Sequence, residues 1–317
     1  MNTHNQIKLD NVPTIGLNLK TVLSLLIITL FLNAESYGQK LFKATYTNKE
    51  GEEQNKEFDK LEDALDDNNY WTHYPEDNTY WFPLEVTITQ TQDDNYYVNK
   101  QTLSPGILKS PDSGNMRTGV KRYILNLQNV SFPENAEINV KGYGIIIQNI
   151  ILNSPLIFNI PSGPVLEIKG GTFNRKVSFV GTENKYYGIL EISGGTFTNG
   201  QNDDCALSIE NIYQVEVSGG DFRYQTSTSS NLDASGPTAF KVVSNRNNIK
   251  ITGGTFGPAN PDANINGTGL LVEAFAGIMK ISGGTFKGNP GAIKNITGKS
   301  IIDPQASFVD INGSVFT

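Results

Sequence analysis

The six residues ISGGTF occupy Ile192–Phe197 and recur without change at Ile281–Phe286. Three near-copies, IKGGTF, VSGGDF and ITGGTF, stand at Ile168–Phe173, Val217–Phe222 and Ile251–Phe256. Self-similarity of this kind is the signature of repeat architectures, in which each repeat buries its apolar side only by stacking on its neighbours. The motif is therefore the strongest indicator of the fold class.

The repeat extends two residues upstream of the motif, and weaker copies precede and follow the strong ones. The eight copies begin at Leu125, Ile145, Leu166, Leu190, Val215, Ile249, Met279 and Val309. Successive starts are 20, 21, 24, 25, 34, 30 and 30 residues apart. Such periods predict an all-β fold over residues 105–317, namely a right-handed parallel β-helix in which one polypeptide chain forms all the coils of the solenoid.

The residues inside each copy alternate as they do in a strand with one buried face. In LEISGGTF, Leu190 and Ile192 point one way, while Glu191 and Ser193 point the other. The glycine pair permits a corner, after which Phe197 faces inward again. The last position of the copies reads Phe132, Leu152, Phe173, Phe197, Phe222, Phe256, Phe286 and Phe316. We predict that these side chains pile up inside the solenoid, so GGTF is interpreted as a packing motif and not as a phosphate-binding loop.

This pattern resembles the pectin-lyase-like superfamily of right-handed β-helix proteins, over residues 105–317. The resemblance implies the fold and leaves the activity open, because that superfamily includes lyases, glycoside hydrolases, epimerases, adhesins and structural proteins. It also implies an amphipathic helix over the first coil. The stretch EFDKLEDALDD, residues 57–67, places Phe58, Leu61, Ala64 and Leu65 on one helical stripe. We therefore expect residues 39–104 to form an N-terminal cap region that contains this helix.

The chain stops at Thr317, directly after a copy of the repeat and without a capping sequence. We expect either an oligomer or partner that shields the last coil, or an incomplete reading frame.

The first 38 residues have the features of a secretory signal peptide. Lys20 precedes the apolar run Thr21–Ala34, which is too short to span a bilayer as a helix. The small residues that follow predict cleavage after Gly38, and a membrane anchor is the alternative interpretation. We expect a secreted or cell-surface protein whose mature chain has no stable membrane span.

Composition excludes several classes of function. The net charge is -7 and charged residues make up 18% of the chain, which disfavours a nucleic-acid partner. After removal of the signal peptide the chain keeps one histidine, His73, and one cysteine, Cys205. Neither a Ser-His-Asp set, nor a multi-histidine zinc site, nor an internal disulfide can be assembled from these residues.

An acidic column is the first candidate site. Between the two inward aliphatic residues, the eight copies carry Asn126, Ile146, Glu167, Glu191, Glu216, Lys250, Lys280 and Asp310. Three carboxylates in successive coils repel one another, and a cation with oxygen ligands, such as Ca²⁺, would relieve that repulsion. Lys169 lies two residues after Glu167 and would relieve it without a metal, leaving a solvated sheet face as the alternative.

The segment QNDDCALSIEN, residues 201–211, is the second candidate, and it is similar to a polygalacturonase signature. The resemblance implies acid and base roles for Asp203 and Asp204, since inverting glycosidases use two carboxyl groups. The family's NTD block and its Gly-His-Gly are missing from this chain. A pair of aspartates in a turn before a strand is the structural alternative.

The third candidate is the aromatic cluster of residues 68–83, with Tyr70, Trp71, Tyr74, Tyr80 and Trp81. Exposed aromatic rings bind sugar rings by face contact, whereas buried ones fill a cap.

The sequence thus favours a secreted β-helix protein that binds carbohydrate or a cell-surface component and lacks an evident catalytic site. The first alternative is a polysaccharide lyase or glycoside hydrolase, for which Lys169 beside Glu167 and Glu191 is the nearest match to a lyase base with calcium-binding acids. The second alternative is a structural adhesin stalk.

Overall fold

The structure, a computed structural model, describes residues 41–66, 69–75, 79–91, 96–97, 102–103, 122–128, 130–132, 136–140, 144–160, 165–181, 188–228, 236–245, 248–260, 265–275, 277–295, 301 and 308–316. All of them belong to one unit of the chain, Lys40–Thr317. The predicted signal peptide, residues 1–38, lies outside the described residues. Among the described residues, none of the helical segments has the length and apolar character needed to cross a membrane.

The described part of the chain is all-β apart from one helical turn. The helix, α1, is Leu61–Ala64. The strands are β1 (Phe42–Thr47), β2 (Glu53–Phe58), β3 (Thr72–Tyr74), β4 (Thr79–Trp81), β5 (Glu85–Gln90), β6 (Tyr96–Tyr97), β7 (Thr102–Leu103), β8 (Arg122–Asn126), β9 (Val130–Ser131), β10 (Ala136–Asn139), β11 (Gly144–Asn149), β12 (Ile151–Leu152), β13 (Leu156–Ile160), β14 (Val165–Ile168), β15 (Thr172–Phe173), β16 (Val177–Gly181), β17 (Ile189–Ile192), β18 (Thr196–Thr198), β19 (Cys205–Glu210), β20 (Gln214–Val217), β21 (Asp221–Tyr224), β22 (Thr238–Asn245), β23 (Asn248–Ile251), β24 (Thr255–Pro258), β25 (Thr268–Phe275), β26 (Met279–Ile281), β27 (Gly283–Asn295) and β28 (Phe308–Phe316).

From β5 to β24 each strand pairs in parallel with the strand three places further along the chain, and at the C-terminal end β25 pairs with β27 and β27 with β28, also in parallel. One sheet has the order β2-β1-β5-β8-β11-β14-β17-β20-β23-β26. The other two series run from β6 to β24 and from β7 to β25, and they join in one sheet because the long strand β27 pairs with both β24 and β25. Three strands per coil with parallel pairing between coils is an arrangement compatible with a parallel β-helix.

Each glycine of the pair in the motif is required for a different steric reason. At the first position, a Cβ on Gly194 would lie 2.3 Å from the carbonyl oxygen of Lys169 in the preceding coil. At the second position, Gly195 has a φ of 95°, a conformation that side chains disfavour. The same two features recur at the other four GGTF-type corners, so the pair allows close stacking of the coils and turns the chain.

The predicted column of inward side chains is confirmed from Leu152 to Phe286 and is wrong at its ends, where Leu152 pairs with Val130 instead of Phe132 and Phe316 pairs with Lys294. Phe173 and Phe197 stack with ring centroids 4.4 Å apart and an interplanar angle of 1°. The series continues at 5.0 Å to Phe222, 4.7 Å to Phe256 and 4.6 Å to Phe286, again with nearly parallel rings. All five side chains are fully buried, and such pairs add about 0.5–1.5 kcal/mol each beyond the burial of their area.

The predicted alignment holds for the copies from Ile145 to Met279 and is wrong for the two outermost copies. Leu125 pairs with Ile147 instead of the expected Ile145. Ile124 therefore occupies the position beside Ile146 that was predicted for Asn126. A slip of two residues keeps every side chain on its own face, so alternation alone cannot detect it. Val309 pairs with Gly284 because β28 follows the continuous strand β27 past the glycine corner, which puts Asp310 opposite Thr285 and Phe316 opposite Lys294.

The amphipathic capping helix expected over residues 57–67 is not supported. Phe58 lies in β2, which pairs antiparallel with β1, and β1 pairs antiparallel with β5. Helix α1 begins only after Lys60, whose side chain provides no cap. The first residues of the expected helix thus belong to a strand that pairs with β1. Leu61, Ala64 and Leu65 are nevertheless buried in the core, as the apolar stripe predicts.

Candidate functional site

One side of the ten-stranded sheet points away from the core and carries the acidic column. We call the outward positions of β14, β17, β20, β23 and β26 the outer face. The register places Glu167 beside Glu191, and Glu191 beside Glu216. Glu216 is followed by Lys250 and then by Lys280. The expected column therefore exists, with neighbouring positions about 4.8 Å apart.

Two of the three glutamates are already in ion pairs. The Glu167 carboxylate lies 3.1 Å from Lys169 Nζ and 3.9 Å from Arg122 Nη1. The Glu216 carboxylate lies 2.9 Å from Lys250 Nζ. These pairs relieve most of the repulsion without a metal, as the alternative interpretation of the column expects.

Among the described residues of the outer face, Glu191 and Lys280 are the charged side chains that do not form an ion pair. Both side chains are exposed, and within the described part of the chain neither has an ion pair or hydrogen bond of its own. Three strand spacings separate their positions, because β20 and β23 lie between β17 and β26. Counting only described residues, the outer face thus offers one carboxylate and one ammonium without a partner, with the ion pair Glu216–Lys250 between them.

Two clefts run across the outer face and share Glu216. The first, which we call the acidic cleft, encloses about 180 Å³ and includes Glu167, Lys169, Glu191, Ser193, Glu216 and Ser218 in its lining. The second, which we call the basic cleft, encloses about 340 Å³ and includes Gln214, Glu216, Asn248, Lys250, Ile278 and Lys280. Among the described residues that line the two clefts there is no aromatic ring, so recognition by these residues would depend on hydrogen bonds and charge.

The glutamates of the column are not gathered into a metal site. Among the residues that the structure describes, no three His, Cys, Asp or Glu side chains are close enough together to hold a metal ion. The expected calcium site therefore rests only on the in-register carboxylates.

Asp203 is buried and saturated with hydrogen bonds. It accepts from Arg175 at 2.9 and 3.2 Å, from the Lys176 amide at 2.9 Å and from the Gly200 amide at 2.7 Å. Burial by itself would raise the pKa of Asp203, but the bonds from Arg175 and the two amides outweigh burial and lower the pKa below its ordinary value. The carboxylate connects two coils and stays ionised at neutral pH.

Asp204 lies in a separate chain of ion pairs. Its carboxylate contacts Lys176 Nζ at 2.7 Å and Lys241 Nζ at 3.2 Å, and Lys241 also contacts Glu273 at 3.2 Å. Burial opposes ionisation, but the two lysines outweigh it and lower the pKa of Asp204. The adjacent Cys205 is buried, and burial raises the pKa of its thiol to about 12, so the thiol is unreactive at neutral pH.

This geometry does not favour the acid and base roles that the polygalacturonase resemblance implies. A glycosidase needs one carboxyl group that stays protonated, which requires a raised pKa, whereas both aspartates have lowered ones. Their partners Arg175, Lys176 and Lys241 were not identified as functional residues from the sequence. Aligning the turn after Phe173 with the turn after Phe197 would have brought Arg175 and Lys176 next to the two aspartates.

The aromatic cluster does not form one surface. Tyr70 is buried and packs against Tyr46 and Tyr123, while Trp71 is 43% exposed. Trp81 is half-buried and pairs with Thr72 in the hairpin of β3 and β4. Tyr80 pairs with His73 and Tyr74 with Thr79 in the same hairpin, and the side chains of Tyr74 and Tyr80 lie outside the described part of the structure. Among the described side chains of this cluster, Trp71 is the most exposed.

Three comparisons with known proteins return nothing for this chain: it matches no family model, no curated protein and no solved structure. The function must therefore be inferred from the outer face, the aspartate cluster and the aromatic region themselves.

Proposed function

We propose that this chain is an exported right-handed parallel β-helix protein of the pectin-lyase-like type. In this proposal it binds an extracellular polysaccharide or a cell-surface component through the outer face and performs no catalysis. The observation that carries the proposal is the pair of clefts across β14 to β26, in which Glu191 and Lys280 have no partner within the described part of the chain.

The outer face suits an extended polymer with many hydroxyl groups. Charged and polar groups recur at the strand spacing along the stacking direction, so they can make many similar contacts with a chain that crosses the strands. Hydrogen bonds between a sugar hydroxyl and an ionised side chain are charge-assisted and stronger than neutral ones. Ser193 and Ser218 add hydroxyl groups to the acidic cleft, and Gln214 and Asn248 add amides to the basic cleft.

The aromatic region supports the same proposal as a secondary contact. Trp71 exposes nearly half of its surface and could hold a sugar ring by face contact. Trp81, Tyr74 and Tyr80 remain candidates for the same role.

The enzymatic alternative has less support. Asp203 and Asp204 are both held ionised by cations, and Lys169, the nearest match to a lyase base, is engaged 3.1 Å from Glu167. A lyase base must be free to reach the proton of the substrate, whereas the Lys169 side chain is engaged with Glu167.

Incubation of the mature protein, residues 39–317, with a panel of soluble polysaccharides tests this proposal. Binding is read by isothermal titration calorimetry, and product release is read by reducing-end and unsaturated-sugar assays. Binding without product supports the proposal. Product release favours the lyase or hydrolase, and the absence of binding favours the structural stalk.

Export is the second part of the proposal. The apolar run Thr21–Ala34 and the small residues after it predict that the first 38 residues are removed during secretion. Mass spectrometry of protein from the culture medium should find an N-terminus at Gln39. A full-length form that starts at Met1 and stays with the membrane would contradict export by cleavage.

A further inference from the structure

We infer, building on the proposed function, that the outer face recognises a polysaccharide carrying both amino and carboxylate groups. In this inference the basic cleft takes a carboxylate of the polymer and the acidic cleft takes an ammonium group of the same chain. The ligand class is therefore a zwitterionic glycan, as distinct from a neutral or a purely acidic one.

The charge balance of the two clefts supports this ligand class. In the acidic cleft, Lys169 pairs with Glu167, and Glu216 pairs with Lys250 across the boundary of the clefts. Among the described lining residues, one negative charge, on Glu191, is left in the acidic cleft, and one positive charge, on Lys280, is left in the basic cleft. A polymer of one sign would be attracted to one of these residues and repelled by the other.

The separation of the two charges requires an extended ligand. Three strand spacings between β17 and β26 correspond to about 14 Å, which is too long for a single sugar ring and suitable for a short stretch of polymer. The clefts meet at Glu216, so one polymer chain can occupy both of them without leaving the outer face.

Each cleft also has neutral groups that match its charge. In the basic cleft, the amides of Gln214 and Asn248 can donate hydrogen bonds to a carboxylate held by Lys280, and the 63%-exposed Ile278 offers an apolar edge to the sugar ring. In the acidic cleft, the hydroxyls of Ser193 and Ser218 can accept hydrogen bonds from an ammonium group held by Glu191.

Three soluble probes separate the possible ligands. N-deacetylated hyaluronan carries alternating amines and carboxylates, hyaluronan carries only carboxylates, and chitosan oligosaccharide carries only amines. Dextran serves as the neutral probe. At about 0.01 M salt the mature protein should bind N-deacetylated hyaluronan most tightly, and about 1 M salt should remove that preference because exposed charges are then screened.

Two variants assign the charges to the clefts. Glu191→Gln should weaken binding of chitosan by about fivefold and leave hyaluronan unchanged or bound more tightly, since an exposed ion pair is worth up to about that factor. Lys280→Gln should show the reverse pattern. Glu210→Gln and Lys287→Gln, which lie outside both clefts, are the matched controls and should alter none of these affinities.

Exchanging the two charges distinguishes charge recognition from a loss of binding that has another cause, such as misfolding of a variant. E191K should shift the preference towards hyaluronan, and the double variant E191K/K280E should recover part of the binding of N-deacetylated hyaluronan, because an alternating polymer can slide by one sugar. Recovery supports charge recognition on this face.

Equal affinity for the four probes, or binding that the Glu191 and Lys280 variants do not change, would overturn the inference and leave the proposed binding function standing. Failure of every polysaccharide to bind would overturn both.

Discussion

The inner and outer positions of the same repeat follow opposite rules. Inside, five successive coils carry the same residue at one position, and the rings from Phe173 to Phe286 stack with centroids 4.4–5.0 Å apart. Outside, three residues before the first glycine of the corner, the equivalent position changes from glutamate in three coils to lysine in two. Inner positions are fixed by packing, whereas outer positions are free to vary and are where a binding function can be encoded.

The aspartate cluster shows that lying outside the apolar core does not make a charge available. Asp203 is surrounded by Arg175 and two backbone amides, whereas Glu191 has no partner within the described part of the chain. The two carboxylates have the same charge, and only the second one is free to bind a ligand.

Phe197→Ala should cause the largest loss of stability. The ring is fully buried between Phe173 and Phe222, so its removal should lower the free energy of unfolding by about 3–5 kcal/mol. The neighbouring Thr196→Ala changes a partly exposed outer position and should cost less than about 0.5 kcal/mol. Urea unfolding monitored by circular dichroism measures both, and equal losses would show that the inner and outer assignment is wrong.

Asp203→Asn should lower the free energy of unfolding about as much as the removal of a buried apolar side chain, although it removes only a charge. An asparagine can keep its oxygen at the position that accepts from the Lys176 and Gly200 amides, but its NH2 group then faces Arg175 Nη2 and the negative charge beside Arg175 is lost, which should cost about 3 kcal/mol. Asp221→Asn is the matched control, because Asp221 pairs with Arg223 at an exposed position and should cost less than about 1 kcal/mol. A small effect in both variants would mean that the cluster does not hold the coils together.

The ion pairs of the aspartate cluster should make the stability of the protein depend on pH. The pKa of Asp204 is lowered from 3.8, so its contribution is present above that value and is lost as the pH falls through the lower, folded pKa. The pKa of Lys241 is raised from 10.5, because the charges of Asp204 and Glu273 outweigh burial. Its contribution is present below that value and is lost as the pH rises through the higher, folded pKa.

Melting temperatures of the wild type and of Asp204→Asn should therefore differ by a constant amount between about pH 5 and 9. The two curves should converge in acid, below the ordinary pKa of 3.8. A difference that is independent of pH down to full protonation would rule out an ionised Asp204 as the source of the stability.

Glu191→Gln should have the smallest effect on stability. The side chain is exposed and has no partner within the described residues, so its removal should leave the melting temperature unchanged or slightly raised by relief of repulsion from Glu167 and Glu216. Calorimetry with and without calcium extends the test. If the column binds calcium, the metal should raise the melting temperature of the wild type but not of the variant.

The interior of the repeat could be predicted from the sequence because its signal is local. Alternation of apolar and polar residues, the glycine corner and the recurring Phe197 position are read within eight residues, and the structure confirms all three. The capping helix could not be predicted correctly, because Phe58 on the same apolar stripe lies in the antiparallel strand β2 and only Leu61–Ala64 form a helical turn. A stripe of buried residues does not reveal whether a strand or a helix supplies the backbone around it.

Alternation and the glycine pairs specify, within each repeat, which side chains face inward, which face outward and where the chain turns. Which carboxylates are free depends on contacts between coils, and these contacts are visible only in the folded chain. Asp203 meets Arg175 from 28 residues away and Asp204 meets Lys241 from 37 residues away, while Glu191 meets only another glutamate on either side. The physical reason is that coils of unequal length stack at a constant spacing, so the neighbour of each outer charge depends on how many residues each coil spends in its turns.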